Sequence, residues 1–555
     1  MIKLYYTFFN FDSNLFIKKA LASFCGKGEY KIKRTENGKP YVDADVHFSL
    51  SHTDRLTICA VSNKNIGADA EKIREIKNKE KILSRYVEPC NDVSDRDFFE
   101  KWTQLESRIK YFGEKLSSCP KAKIEEKHTE TFDFGEYIIS ICSDEKEHLE
   151  MERLDMAIFN KADIMLPKNS DLTKWSVVAC DQYTSQPEYW EKAQELVGDS
   201  PSTLNLVYPE AFLSQGDGRI AKINDTMKEY CDKGIFTTYK NCLIYVERTL
   251  SGGRIRKGIV GAVDLEAYDF HKGVKCPIRA TEGTVLERIP PRVKIRENAP
   301  LELPHVMLLV DDKEKTLIEK TVKGEKLYDC ELMADGGHLA GWVVANDDEF
   351  MATLDKFTEN APDGLVFAVG DGNHSLATAK TCWDNLKPTL TPEEQENHPA
   401  RFCLVEIENI HDDVLEFEPI HRVVFGIEDE DAFTSALMKE LDCSEEDKGG
   451  QEIVLVKGSD KKTLYMNNTS SPISVGTLQK YLDNLSYEVD YIHGEDVVEE
   501  LSAKKGAVGF LLPKPPKNGF FETVIKDGAL PRKTFSMGEA NEKRYYMEAK
   551  FIRLD

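Results

Sequence analysis

The chain has 555 residues, 41% hydrophobic and 31% charged, the composition of a soluble globular protein long enough for about three domains and more than one core. Its net charge of -24 excludes nonspecific binding to nucleic acid or to an anionic membrane, because both need clustered Lys and Arg. Thirteen cysteines are scattered from Cys25 to Cys443 without a C-x-x-C pair, no charged-then-apolar leader opens the chain, and no membrane-length apolar stretch occurs, so a reduced cytoplasmic protein without zinc knuckle or thioredoxin-type motif is expected.

The pattern predicts a strand over 2–8, an apolar helix over 15–24 and a short strand over 30–33. Gly38-Lys39-Pro40-Tyr41 then reads as a turn, and Phe48-Ser49-Leu50-Ser51-His52-Thr53 as a strand end. Ile66-Gly67-Ala68-Asp69-Ala70-Glu71 reads as a further strand, so Asp69 and Glu71 leave the same face. Helical spacing of Phe98, Trp102, Leu105, Ile109 and Phe112 predicts a helix with those residues as its buried stripe, and this helix brings in Glu106. Three carboxylates then compose an all-oxygen site that suits magnesium and a diphosphate. Blander readings share these letters. Glu106 and Lys110, four apart, also match a surface ion pair, Asp69 and Glu71 a solvated strand face, and Ser51-His52-Thr53 a strand closing into a turn. A strand over 137–142 ends the pattern.

These four words, in this order, resemble the 4'-phosphopantetheinyl transferases of the surfactin-synthetase-activating type: the GKP turn, the S-x-S-H-(S/T) strand end, the G-(I/V)-D-(I/V)-E strand and the W-(S/T)-x-K-E-(S/A)-x-x-K helix. The resemblance covers about the first 145 residues. It implies magnesium on Asp69, Glu71 and Glu106, with Glu106 also helping to deprotonate the serine of an apo acyl or peptidyl carrier protein. It implies that Lys39, Ser51 and His52 hold phosphates of coenzyme A, that Lys110 reaches the diphosphate, and that the products are a holo carrier protein and adenosine 3',5'-bisphosphate. Two departures stand out. Leu105 occupies the position of the family's lysine, removing a phosphate contact worth about 1.5 to 3 kcal/mol unless Lys101, Arg108 or Lys115 replaces it. Only about thirty residues separate the first strand from the GKP turn, so the first lobe is reduced. Lys27, Lys31, Lys33 and Arg34 are the one basic patch for an acidic partner, and a solvated strand edge explains them equally well.

The charged run from Ser143 to Glu150 reads as a linker or solvated helix, with a new apolar pattern from Met156, which predicts domains over 1–148, 155–430 and 431–555, the last an extension of the second. Trp175-Ser176-Val177-Val178-Ala179-Cys180-Asp181-Gln182-Tyr183 looks like a buried strand entering a polar loop. Strands over 243–246, 258–263, 306–310 and 365–369 and helices over 187–196 and 376–386 follow, which is α/β or α+β material in one or two subdomains. Val369-Gly370-Asp371-Gly372-Asn373-His374-Ser375 lies between a strand and a helix. Its glycines and opening amides favour an anion, although a tight turn and a helix start explain the same letters. Asp335-Gly336-Gly337-His338 and Pro419-Ile420-His421-Arg422 are polar clusters that could converge on it.

The C-D-Q-Y loop and the D-G-N-H-S-x-A-x-A segment resemble the bacterial family called domain of unknown function 1015. The family's usual D-G-H-H-R word is similar to that of the ParB and sulfiredoxin superfamily, which implies a nucleotide or phosphate pocket, for ATP or ADP, on Asp371 and His374. Asn373 and Ser375 stand where that word has a histidine and an arginine. The chain is therefore expected to be an α+β enzyme, a reduced phosphopantetheinyl transferase fold followed by a larger α/β domain of ParB/sulfiredoxin-like type. Its expected activity is magnesium-dependent phosphopantetheine transfer, fused to a small-molecule site, with no nucleic-acid or membrane partner. The rivals are a serine-type small-molecule kinase carried by the second domain and a non-catalytic scaffold with decayed sites.

Overall fold

The computed structural model describes every residue except 8–12, 27–29, 55, 87–91, 117–126, 155–156, 185, 272, 493, 529, 532 and 554–555. Phe8, the last residue of the first predicted strand, and Lys27 and Met156 of the sequence reading lie outside the described residues. The chain divides into two units, Met1–Ala157 and Ile158–Asp555, both mixing α and β structure. Among the described residues no helix is long and apolar enough to cross a membrane.

In the first unit the order is β1 (Ile2–Thr7), α1 (Ser13–Cys25), β2 (Lys33–Arg34), β3 (Pro40–Tyr41), β4 (His47–Thr53), β5 (Leu56–Ser62), β6 (Gly67–Lys72), α2 (Lys79–Leu83), α3 (Asp95–Phe112), β7 (His128–Phe134), β8 (Tyr137–Ser143) and β9 (Leu149–Arg153). One sheet runs β4-β5-β1-β9 and another β6-β8-β7. Where they meet, side chains replace the backbone ladder. Alternate residues of β4 point the same way, and the hydroxyls of Ser49, Ser51 and Thr53 accept from the N–H groups of Ala68, Ala70 and Lys72 at 2.9, 3.3 and 3.3 Å. The S-x-S-x-T alternation thereby satisfies donors that the outer edge of β6 would otherwise leave unpaired.

Helix α3 starts at a capping box between Ser94 and Asp97 and stops at Gly113, whose φ of 68° suits a residue without Cβ. Phe98, Leu105 and Ile109 are buried as the stripe predicts, and Trp102 stacks on Phe98 at 5.8 Å. Phe112 is a correction: it is 38% exposed, and Tyr111 takes the buried place at the end of the helix. Two hydroxyl residues lie on the same buried face, Thr103 bonding Ser140 of β8 at 2.8 Å, so α3 sits closer to the sheet than an all-apolar stripe would allow. Gly67 permits the approach, because a Cβ there would lie 2.0 Å from the Ser107 carbonyl oxygen and 2.4 Å from the Tyr111 nitrogen.

Two further expectations are corrected. The strand over 30–33 reduces to the pairing of Lys33 and Arg34 with Tyr41 and Pro40. The charged run is no linker throughout: Leu149 to Arg153 form β9, parallel to β1 from Ile2↔Leu149 onward, so the first unit runs past residue 148. An edge strand needs only one ladder and keeps charges on its open side, with Glu152 pairing Lys3, so its polarity hides it from pattern reading.

The second unit is built on a ten-stranded sheet. The predicted strands appear in it as Ile244–Thr249, Ile255–Asp264, Met307–Val310 and Phe367–Asp371, and the helices as Pro187–Val197 and Asn373–Leu386. Strand Phe367–Asp371 pairs with Ile278–Ala280 on one side and Met307–Val310 on the other. A second sheet of six strands spans His421–Phe425 to Val508–Leu511. The stretch after Trp175 is buried as expected but is not a strand; Leu172–Trp175 is a short helix and only Val178 bridges, to Tyr545.

Candidate functional site

Asp69 is the centre of the first site. It is 5% exposed, and its Oδ1 accepts from Ser51 Oγ and from Lys110 Nζ, both at 2.7 Å. Its Oδ2 is buried without a hydrogen-bond partner. Glu71, two residues on, accepts from Thr53 Oγ1 at 3.1 Å and from Arg74 at 2.9 Å. Burial, then the charge of Asp69, holds the Glu106 carboxyl above the usual carboxylate range; Glu71 adds to this and Lys110 opposes it. The three predicted acids thus act on one another, with β6 supplying two and α3 the third. Among the described residues no group of three or more His, Cys, Asp or Glu side chains is placed so that it could hold a metal ion. Lys110, which also donates to the Leu50 carbonyl at 3.3 Å, holds one oxygen of Asp69 instead. The donor set still fits a hard divalent ion. Magnesium needs only one or two protein carboxylates, and Asp69 Oδ2, buried without a hydrogen-bond partner, lies within electrostatic reach of a second acid, Glu106.

The other predicted residues are placed differently. Ser51 is buried and bonded to Asp69, so it positions that acid. His52, opposite Thr57 in the β4–β5 ladder, is exposed. Lys39 turns inward, its Nζ donating to the carbonyls of Ile66 and Tyr111 at 3.5 and 3.3 Å, and burial pulls its ammonium below the ordinary lysine value. It borders an open surface depression of about 450 Å³ lined also by Thr35, Asn37, Asn65 and Tyr111. In the basic patch, Lys33 pairs with Asp43 and Arg34 bonds the Gly38 carbonyl.

The second site lies where Phe367–Asp371 meets its helix. Gly372, at φ 79°, makes the turn, and a Cβ there would lie 3.0 Å from Val306 Cα. Asp371 pairs with Lys543 at 3.2 Å. His374 Nε2 accepts from the Val285 N–H at 3.2 Å, which leaves the ring proton on Nδ1. Burial, then Arg292 and Arg288, drives the imidazole down to about 4, against the charge of Asp181. Asp181 is half-buried; desolvation works against its ionisation, yet His305, a hydrogen bond from Gln182 and Lys543 hold it below the usual range. Tyr183, two residues on, sits at φ 51°, the sparsely populated region where functional loops store strain.

Of the two other polar clusters, the first reaches the margin of this site through Asp335, whose carbonyl accepts from Asn541 at 3.2 Å and which, after burial and Glu539, helps to raise the Tyr183 phenol, while its histidine lies apart. His338 pairs with Asp329 at 2.7 Å on a strand five places from Phe367–Asp371 in the sheet order, about 24 Å away at strand spacing. His421 accepts from the Leu512 N–H and Arg422 donates to Gln479, both inside the six-stranded sheet. The residues that sequence reasoning missed are Arg288, Arg292, His305, Lys533 and Lys543, scattered over more than two hundred positions. Only the quoted C-D-Q-Y word pointed toward Asp181.

Among curated proteins, the N-terminal part is 41% identical over 91 residues to the 4'-phosphopantetheinyl transferase gsp of Aneurinibacillus migulanus, covering 15% of this chain and 38% of that protein. It is 37% identical over 93 residues to a 4'-phosphopantetheinyl transferase of Bacillus subtilis, covering 15% and 41%. The chain thus spans about two fifths of the length of these relatives. Among solved structures, a C-terminally truncated SbnI from Staphylococcus aureus is similar at a TM-score of 0.28 and 11% identity, covering 53% of this chain and 82% of its own. A free serine kinase in complex with AMP gives 0.27 and 13%, covering 50% and 89%; neither score is high enough to establish a shared fold. The family of proteins of unknown function designated DUF1015 matches residues 162–485, more than half of the sequence, and the chain belongs to that family.

Proposed function

We propose that the first unit is a magnesium-dependent phosphopantetheinyl transferase of the holo-carrier-protein synthase type, moving 4'-phosphopantetheine from coenzyme A to a serine of an apo acyl or peptidyl carrier protein. The observation that carries this reading is the buried, unpartnered Oδ2 of Asp69 beside a Glu106 whose proton affinity is raised; the partial matches to named transferases support it. Asp69, Glu71 and Glu106 would hold magnesium, which when bound screens the diphosphate and polarises it for attack. Glu106 takes the proton of the serine hydroxyl, and burial strengthens it as a base. Lys110, poised on Asp69 and the Leu50 carbonyl, balances the acids and extends its one remaining N–H donor to the diphosphate. Lys39 and His52 contribute phosphate contacts from the turn and from the end of β4, and Ser51 fixes Asp69. The test is intact mass after incubating the full chain with coenzyme A, magnesium and several apo carrier proteins, with Glu106→Ala as control. A gain of one phosphopantetheinyl group that the variant abolishes is expected. No gain with any carrier, and no coenzyme A binding, would leave a scaffold with decayed sites, the reading that Leu105, Asn373 and Ser375 favour.

A second reading concerns the second unit, as a ParB/sulfiredoxin-like domain that binds a nucleotide or phosphorylated small molecule and serves a serine-type kinase. The cluster of Asp371, neutral His374 and Asp181 with surrounding cations supports it. Protection against thermal unfolding separates the two: coenzyme A should protect the first unit, ATP or ADP the second.

A further inference from the structure

Resting on that phosphate-binding reading of the second unit, we propose that Lys543 contacts the ligand's phosphoryl oxygens, supplying from the C-terminal segment the cation that Ser375 does not provide. Lys543 lies beyond residues 162–485, yet that segment is built into the site wall at several points. Leu530 bridges Glu282 and donates its N–H to the Thr281 carbonyl at 2.7 Å, while Thr281 Oγ1 bonds the Val369 carbonyl at 2.7 Å. Gly370 leaves room for Met537, whose Sδ a Cβ would approach to 2.5 Å. Ala179 donates to the Arg544 carbonyl and Tyr546 to the Val177 carbonyl, both at 2.9 Å. The segment therefore runs from the strand that ends in Asp371 to the loop that carries Asp181. Lys543 is fixed between them with its side chain 8% exposed and its Nζ 3.2 Å from Asp371 Oδ2.

Its neighbours define the ligand. An ammonium has three donors, and among the described residues Asp371 is the acceptor that Lys543 reaches, so two remain for an anion. His374, neutral and with its proton on Nδ1, adds a donor without a charge. Arg292 stands on helix Ile289–Arg296, which packs along helix Asn373–Leu386, and is engaged by Glu210, while its Nη1 donates to the Arg288 carbonyl. Arg292 is thus committed to the fold. Among the described residues Lys543 is a buried cation paired to the strand end before the turn, and its acceptor is a site carboxylate. Lysine binds phosphate as a point charge, so a phosphoryl-bearing small anion is the matching class.

The experiment is calorimetric titration of the full chain with inorganic pyrophosphate and with ADP. Wild type should bind both, Lys543→Met should weaken binding at least tenfold, Lys543→Arg should stay within about threefold, and Ser375→Arg added to Lys543→Met should recover affinity. If Lys543→Met leaves Asp371 unpaired and does not fold, the double variant Lys543→Met with Asp371→Asn removes both charges and should show the same loss. Wild-type affinity in either of those variants overturns the role of Lys543 while leaving the phosphate reading intact. Failure of wild type to bind pyrophosphate or ADP overturns that reading, and the inference with it.

Discussion

Replacing Gly67 by Ala tests whether the close contact of α3 with β6 holds the first site together. The added Cβ would stand 2.0 Å from the Ser107 carbonyl oxygen and 2.4 Å from the Tyr111 nitrogen, where ordinary contact begins at 3.4 Å. Both obstacles are backbone, so no side chain can turn aside, and the helix must withdraw by about 1.4 Å along that line. The 2.8 Å bond between Thr103 and Ser140 stretches with it, and so does the 2.7 Å contact of Lys110 with Asp69. Overpacking together with a weakened buried hydrogen bond amounts to about 3 kcal/mol. Hydrogen–deuterium exchange on the full chain reads this locally: protection of α3 and β6 amides should fall about a hundredfold, since each 1.4 kcal/mol is a factor of ten. Amides of the strand Phe367–Asp371 should not change. Protection in α3 within twofold of wild type would show that the helix does not depend on this contact, and the explanation of Gly67 would be wrong.

Leu105→Lys restores the lysine of the transferase family, but Leu105 is only 7% exposed, so the change should cost about 2 to 4 kcal/mol rather than improve transfer. Denaturant midpoints and holo-carrier yield decide it; a variant as stable as wild type with higher yield would show that position 105 has a route to the phosphates. In the second unit, His374 is held neutral, its folded value about 4 against an ordinary 6.5. A depressed histidine binds its proton more tightly when unfolded, so its stabilisation is full above pH 6.5 and is lost as pH falls toward 4. At about 1.36 kcal/mol per unit the loss approaches 3 kcal/mol. The stability difference between wild type and His374→Gln should therefore shift by that amount between pH 7 and pH 4, and a pH-independent difference would sink the assignment.

What could be read from the sequence was what local pattern encodes. The G-A-D-A-E strand, the helix bearing Glu106 and the strand before Asp371 all appear at the expected places, because periodicity and glycine placement act over a few residues. Phe112 failed for a local reason: at the last turn, before Gly113, the stripe shifts by one residue and Tyr111 takes the buried place. The edge strand β9 failed because one open face tolerates charge. The second site was legible only as its central word. Lys543 reaches Asp371 across a separation that no short-range pattern spans, and Arg288 and Arg292 look like ordinary cations at the start of a helix and on it until that helix is seen packed beside His374's.

Both sites set a carboxylate at a strand against a lysine brought from elsewhere in the chain: Asp69 with Lys110, and Asp371 with Lys543. Each pair joins an element to the fold and, in the functions proposed, would also present polar atoms to a ligand, so loss of activity in a single variant is ambiguous. Removing Lys110 strands a carboxylate that is 5% exposed, and breaking a buried pair on one side costs about 3 to 5 kcal/mol. Lys110→Met would therefore depress transfer even if Lys110 never touched coenzyme A. Pairing it with Asp69→Asn would remove the stranded charge but also a proposed magnesium ligand, so stability would return and transfer would not. The informative comparison is Lys110→Arg: it keeps the charge beside Asp69 but changes the reach and shape of the cation. Retained stability with lost transfer in that variant would separate the work of Lys110 on the diphosphate from its work in holding α3 to β6.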